Sequence, residues 1–431
     1  QFGLVHESLR ERNLLLRHAI DWVKPLAFLL PVYPGHGRPG WQLKLGLTLY
    51  DILSFPNPMP GHRHLEHAAI TKDYPTLTAT HLRDGFLYYD AQMEDARLVI
   101  ANLADAAIHG AQCFNYAHVT TLRRTATGFH VGVEFSNKTV TYWNCKSIIN
   151  TTGAWSDVVR KVLGLPTQKH LVSPTKGVHL VLRHTPPKTA VLLQAPQDER
   201  VFFVMPWHDR TLLGTTDTPF TEDPDHIDIT KADIRYLKQA YEHFFPTLPI
   251  GPGDLVSAFV GLRPLAASDA QASDRSRETV IHSDIPGLFS VVGGKFTTHR
   301  QIAQDVVDKL INTKLLPPTD KRCCTTSHPL PLPSNVASSP PMPPYCPHHP
   351  HTLAEVDYAV RYEWVRSVSD WNLRRTVIGF AADCNGISCS QAVGRQIGTL
   401  LDKSEADIQA DINAYMQETE RLLKLCRNSL A

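Results

Sequence analysis

The chain has 431 residues, room for roughly two to three domains with substantial cores. Its 43 Lys and Arg against 42 Asp and Glu give a net charge of +1, which excludes the broad basic surface that nucleic-acid binding needs. With 42% hydrophobic and 20% charged residues the composition is globular, and no uncharged apolar run reaches the roughly 18 residues that cross a bilayer. The eight scattered cysteines read as reduced intracellular thiols, not a disulfide framework. Starting at Gln1 with no signal-peptide pattern, the chain is expected to be a mature form or a fragment.

Taken in order, the segment Arg38–Tyr50 is Leu-rich with aromatics and a few cations, which suits either an interfacial helix or a core helix. Asp95–His109 has helical periodicity, and a strand is predicted over Cys113–Val119 after Gly110. Alternation over 129–135 and 140–144, separated by Asn137-Lys138, predicts a hairpin. Ile148-Ile149-Asn150 is a short apolar strand running into Thr151-Thr152-Gly153-Ala154-Trp155. Dinucleotide cofactors lie over small-residue strand ends of this kind, although a plain structural turn is the simpler reading. Strand-like runs follow at 178–182, 190–194, 201–205, 211–214 and 255–260, interrupted by a helix at 230–245. The body is therefore mixed α+β with many antiparallel strands.

Chemistry concentrates in a few places. Leu288–Val292, Gly293-Gly294 and Lys295–Arg300 read as a buried strand, a tight turn and a helix capped by Thr297 or Thr298. Free amides at that helix start, beside glycines without Cβ, suit a phosphate or the edge of a flavin ring; an ordinary strand–helix connection fits equally well. Gly214-Thr215-Thr216-Asp217 offers hydroxyls and a carboxylate. Gly261-Leu262-Arg263-Pro264-Leu265 places one guanidinium at a strand end, to be paired with an anionic ligand or with Asp269 or Asp274. His179 alternates with apolar residues on a strand, where a hydrogen-bonded half-buried histidine is commoner than a base. Eleven prolines between Pro317 and Pro350 predict an exposed linker. Its Cys323, Cys324, His328, Cys346, His348, His349 and His351 lack a paired C-x2–4-C, so no metal site is expected. Beyond it, Ser404-x-x-Asp407 opens a helix carrying Ile408, Ile412, Tyr415, Leu422 and Cys426.

Together these pieces resemble the FAD-dependent glycerol-3-phosphate dehydrogenases. The matching segments, in one order over residues 1–376, are Met93–Val99, Asn150–Trp155, Lys176–His179, Phe203–Trp207, Gly214–Asp217, Gly261–Leu265, Gly293–Arg300, Glu363–Arg366 and Arg374–Thr376. The resemblance implies a glutathione-reductase-type FAD-binding domain (α/β, incomplete at its N-terminus), a substrate domain on an antiparallel sheet, and a small helical C-terminal domain. The corresponding ranges are 1–165 with 287–312 (part of the substrate domain lying near 20–90), 166–286, a linker over 313–352, and 353–431. The family's opening strand and G-x-G-x-x-G turn are not matched, and the chain is expected to begin just after them.

The reaction implied is oxidation of sn-glycerol 3-phosphate to dihydroxyacetone phosphate, with electrons passed to a quinone. By the same resemblance His179 takes the C2 hydroxyl proton, Arg263 binds the anionic substrate with help from Thr216, and Lys295 sits where flavin and substrate meet. Thr152, Gly153, Gly293, Gly294, Lys295, Phe296, Thr297 and Thr298 line the FAD. The resemblance further implies peripheral attachment to a mitochondrial inner membrane or a bacterial cytoplasmic membrane, with a homodimer as a candidate assembly and no nucleic-acid partner. Two other readings stay open on sequence: an amino-acid oxidase of the same flavin superfamily, and an inactive fragment lacking FAD.

Overall fold

A computed structural model describes residues 2–35, 37–165, 169–185, 187–267, 278–330 and 343–430. The first third contains α1 (Phe2–His18), β1 (Val23–Val32), α2 (Gly40–Leu53), β2 (Arg63–Glu66), α3 (His67–Asp73), β3 (Asp84–Met93) and α4 (Asp95–Ile108). Next come β4 (Ala117–Arg124), β5 (Phe129–Phe135), β6 (Val140–Cys145), β7 (Ile148–Asn150) and α5 (Ser156–Val162). The middle is β8 (Thr175–Leu182), β9 (Ala190–Gln194), β10 (Val201–Trp207), β11 (Arg210–Gly214), β12 (Thr218–Pro219), α6 (Lys231–Phe244) and β13 (Leu255–Arg263). After β14 (Thr279–His282), β15 (Leu288–Gly293) and α7 (His299–Asn312), the C-terminal part is helical. Its helices are α8 (Leu353–Tyr362), α9 (Val368–Asp370), α10 (Ile378–Ala381), α11 (Ser390–Leu400) and α12 (Glu405–Leu430).

Nine strands form one sheet in the order β12-β8-β11-β10-β9-β1-β3-β2, with β13 on the free side of β8. Its pairs are antiparallel apart from β1 with β9. A second sheet, β14-β15-β7, pairs β15 with β7 in parallel, the arrangement of a nucleotide-binding half. The predicted hairpin is β5–β6, closed at Lys138 in a left-handed conformation (φ 65°) with the Asn137 side chain accepting from the Thr139 amide. The strand predicted from Cys113 starts only at Ala117. Tyr116 is left-handed (φ 51°), and its hydroxyl donates to Asp370 in the C-terminal part, which pulls the segment out of the ladder.

The alternation of β8 decides the layering. Val178, Leu180 and Leu182 join the largest hydrophobic cluster, packed under α6 and the last turns of α12. On the same face Lys176 reaches Asp233 of α6 at 2.6 Å, and Asp233 also closes a capping box with Thr230. Residues 175, 177, 179 and 181 turn to the opposite face, where Val181 packs with Leu212 and Val256. The helix after Ser404 forms as predicted, with Asp407 and Ser404 bonded to each other, and it fills a second core with α8 and α11.

Parts of the proline-rich segment pack rather than hang free. Leu330 bonds its amide to His18, His328 meets Asp105, and Tyr345 accepts from the Trp371 indole at 2.7 Å. Proline forbids ladder hydrogen bonds but not side-chain packing. Residues 331–342 lie outside the described set.

Arg97 of α4 joins body to C-terminal part through two bonds of 2.7 and 2.6 Å to Glu363, whose side chain is 8% exposed. Arg97→Met leaves that carboxylate buried without its guanidinium. The expected cost is about 3 kcal/mol, seen as a lower urea midpoint for the variant than for the parent chain.

Candidate active site

The register between β8 and β13 pairs Thr175 with Arg263, Gly177 with Gly261 and His179 with Phe259. These six positions share the face turned away from the core. Because both central residues are glycine, the sheet has a bare backbone floor between a guanidinium and an imidazole. The Arg263 guanidinium lies over Gly177, where a Cβ would come within 2.5 Å of Nη2. The His179 ring lies over Gly214, where a Cβ would be 2.1 Å from Cδ2, and it stacks on Phe259 at 5.0 Å. Gly261 has no heavy atom within 4 Å of a Cβ position, so the floor opens onto free space there.

Arg263 is held from the turn after β11. It donates to Thr215 Oγ1 at 2.8 Å and to the Thr216 carbonyl at 3.2 Å, and Asp217 stands 3.4 Å away. Asp269 and Asp274, the partners considered from sequence, lie outside the described residues. Thr216 does not present its hydroxyl to this space. It is buried, accepting from the Val178 amide at 3.0 Å and facing the Lys176 carbonyl, so it ties the turn to β8. Thr215, noted in the sequence for its hydroxyl but given no role of its own, is the hydroxyl that touches Arg263.

Burial pushes the His179 pKa down from 6.5 to about 4, and the positive charge of Arg263 pushes in the same direction. The imidazole is therefore neutral at pH 7. His179 also forms part of the wall of a cleft of about 970 Å3 between the sheet and the C-terminal part, with Trp207, Phe259 and Arg375.

The second predicted constellation also assembles. At the end of β7, buried Asn150 donates to Ser290 of β15 and to the Ser156 carbonyl, and accepts from Thr152. Gly153 is left-handed (φ 59°) with Pro264 as its nearest neighbour at 3.7 Å, and Gly293 donates its amide to the Pro264 carbonyl. Pro264, next to Arg263, is thus the point where both strand ends meet. Gly293 and Gly294 have φ of 72° and 78°, and a Cβ on Gly293 would strike the Glu278 carbonyl at 2.3 Å, so only glycine fits that turn.

After Gly294 a short helical turn, Phe296–Thr298, leads into α7, and the first amides of such a turn have no acceptor behind them. Thr298 does not cap with its side chain as expected; its hydroxyl donates to the Lys295 carbonyl. Phe296 stacks on His299. The Lys295 ammonium bonds Ser8 of α1 at 3.2 Å. A spelling of G-x-G-x-x-G does occur, at Gly35-His36-Gly37-Arg38-Pro39-Gly40. It follows β1 of the large, mostly antiparallel sheet and not the parallel β7–β15 pair, a Cβ on Gly37 would strike Gln194, and His36 is not described.

Two glycine turns at parallel strand ends, helix-start amides beside one of them, and an open glycine floor next to a neutral imidazole suit a flat, anionic, redox-active ring. The residues therefore suit a flavin. The family model described as FAD dependent oxidoreductase matches residues 1–308, and the chain belongs to that family, whose cofactor is FAD.

Among its relatives is a glycerol-3-phosphate dehydrogenase of Synechocystis sp., 33% identical over 352 residues, covering 77% of this chain and 63% of the relative. Another, named probable mitochondrial glycerol-3-phosphate dehydrogenase, is from Caenorhabditis elegans; it is 31% identical over 338 residues, 75% of this chain and 46% of the relative. The matches thus span under two thirds of these relatives. The fold matches the FAD-complexed glycerol-3-phosphate dehydrogenase of Bacillus halodurans with a TM-score of 0.75 at 21% identity, covering all of this chain and 88% of that one.

Because the folded state disfavours the imidazolium of His179, the unfolded chain takes up its proton first. Stability should therefore fall as pH drops from 6.5 toward about 4. The His179 ring signal in an NMR titration is expected to move near pH 4. In Arg263→Met it should move at higher pH, still below 6.5; an unchanged midpoint would assign the whole shift to burial.

Proposed function

We propose that this protein oxidises sn-glycerol 3-phosphate at C2 to dihydroxyacetone phosphate. The observation that supports this most is the glycine floor with Arg263 at one end and neutral His179 at the other. In the proposal the phosphate binds the Arg263 guanidinium, displacing the 3.4 Å contact with Asp217, while Thr215 keeps the fork oriented. The C2 hydroxyl then faces His179, which is neutral and accepts its proton. FAD supplies the acceptor for the hydride leaving C2.

An anion on Arg263 also removes the positive charge that depresses His179, so substrate binding strengthens the base that the reaction needs. Thr152, Gly153, Gly293, Gly294, Phe296, Thr297 and Thr298 line the FAD in this reading, with Lys295 beside the ring. Thr216 keeps the substrate-binding turn in place. The Synechocystis and Caenorhabditis elegans relatives, by their names, support the substrate.

Turnover of sn-glycerol 3-phosphate by FAD-loaded protein, with a dye as acceptor, tests the reading. Arg263→Met should lower kcat/KM by roughly tenfold to a hundredfold, the loss of a charged hydrogen-bonding pair of about 1.5–3 kcal/mol. D-amino acids should not turn over; oxidation of those in preference to glycerol 3-phosphate would overturn the assignment.

We further infer that electrons leave to a quinone at a membrane surface, mitochondrial inner or bacterial cytoplasmic. Support comes from α2, where Trp41, Leu45, Leu49 and Ile52, followed by Phe55, are exposed at helical spacing, between 36% and 82%. Arg38 and Lys44 flank them. Such a face suits an interface in which the helix lies flat. Among the described residues no helix is long and apolar enough to cross a membrane. The chain should sediment with vesicles containing anionic lipid, and Trp41→Glu with Leu45→Glu should leave it in the supernatant while dye-linked turnover persists.

A further inference from the structure

Outside the site just described, four metal-binding side chains from distant parts of the sequence converge beneath the C-terminal helices. Cys346 and His349 come from the segment before α8, with C-x2-H spacing. Cys384 and Cys389 come from the loop between α10 and α11, with C-x4-C spacing. Cys346 and Cys389 are buried at 4% and 3% exposure, and Cys384 and His349 are partly buried. The ligand atoms of Cys346, His349 and Cys389 all lie within 4.8 Å of one another, and Cys384 Sγ stands 3.9 Å from Cys346 Sγ at the edge of that group.

The spacings carry the argument. A tetrahedral zinc with Zn–S of about 2.3 Å and Zn–N of about 2.0–2.1 Å requires neighbouring S···S of about 3.8 Å and S···N of about 3.6 Å. Cys346 Sγ to Cys384 Sγ is 3.9 Å, and Cys389 Sγ to His349 Nε2 is 3.6 Å. The first distance is far from a disulfide bond of about 2.05 Å. A two-iron cluster would spread its donors over two metals, whereas Cys346, His349 and Cys389 surround one point. His349 turns Nε2 toward the thiols while its Nδ1 is buried without a hydrogen-bond partner, so no bond on that side orients the ring.

We propose that Cys346, His349, Cys384 and Cys389 bind one zinc ion in a closed Cys3His site. With four protein ligands it has no open position, so its role is structural. It would fasten two segments that little else joins. The 384–389 loop is already anchored to the sheet by Asn385, which donates to the Val256 carbonyl, and α10 just before it by Ser257, which donates to the Phe380 carbonyl. The segment around His348 to His351 lies on the wall of the 970 Å3 cleft. Zinc would therefore set the shape of the cleft's far side from outside the chemistry.

The full chain, purified without added metal or chelator, is expected to carry about one zinc per molecule by mass-spectrometric metal analysis. Cobalt exchanged into it should show the intense visible bands of tetrahedral thiolate coordination. Cys426→Ser, which removes a buried thiol outside the cluster, should keep the zinc, whereas Cys389→Ser should lose it. Should Cys389→Ser fail to fold, the native chain gives the same answer: chelation should make three further thiols reactive and lower the melting midpoint. Lack of zinc both as purified and after dialysis against a zinc salt would overturn the proposal. So would iron with sulfide in its place, or a disulfide among the three cysteines.

Discussion

The pairing of Gly177 with Gly261 is the constraint on which the site depends. An antiparallel ladder sets side chains from two strands directly opposite, and here the one pair lacking side chains falls between Thr175–Arg263 and His179–Phe259. A slip of one residue would send Arg263 and His179 into the core face and bring Lys176 and Val178 out. The register is protected because the wrong alternative is expensive. Val178, Leu180 and Leu182 would leave a dry core, and the Lys176–Asp233 pair would be broken. The placing of Arg263 and His179 thus derives from apolar burial on the reverse side of the same strand.

Two electrostatic effects meet at that floor. Burial alone would make His179 a neutral, weakly basic ring, and Arg263 deepens this by its charge. Arg263 stands 3.4 Å from Asp217 with both partly exposed, while Thr215 fixes its direction. The charge at Arg263 and the basicity of His179 are thus linked, so whatever neutralises the first raises the second.

The C-terminal part supplies the opposite wall of the cleft; the last turns of α12 join it to the main core, and polar contacts add to that hold. Arg97 with Glu363, Tyr116 with Asp370, Asn115 with the Trp364 carbonyl, and Asn385 with Val256 fix its position. Each joins residues well over a hundred positions apart. The thiol–imidazole cluster lies at the same boundary, so the segment richest in proline is pinned where it passes the cleft.

Much of this was readable from the sequence, for local reasons. Periodicity fixes which residues of a segment share a face, and it gave the helix at Asp95, the β5–β6 hairpin, β8 and the helix after Ser404. Glycine positions marked the turns at 153 and 293–294, because only glycine adopts those conformations without a clash. The resemblance carried the family. Packing decided the rest. Thr216 and Thr215 are neighbours with the same hydroxyl, and only the fold shows that the first is bonded to β8 while the second faces Arg263. Lys295 could reach either side of its turn, and α1 offers Ser8. Cys346 and His349 looked unpaired because their partners lie some 40 residues on, across a loop that only tertiary burial brings back. Sequence by itself determined the conformations, which depend on neighbours along the chain. The structure determined which side chains share one hollow, because that depends on how faces far apart in sequence bury against each other.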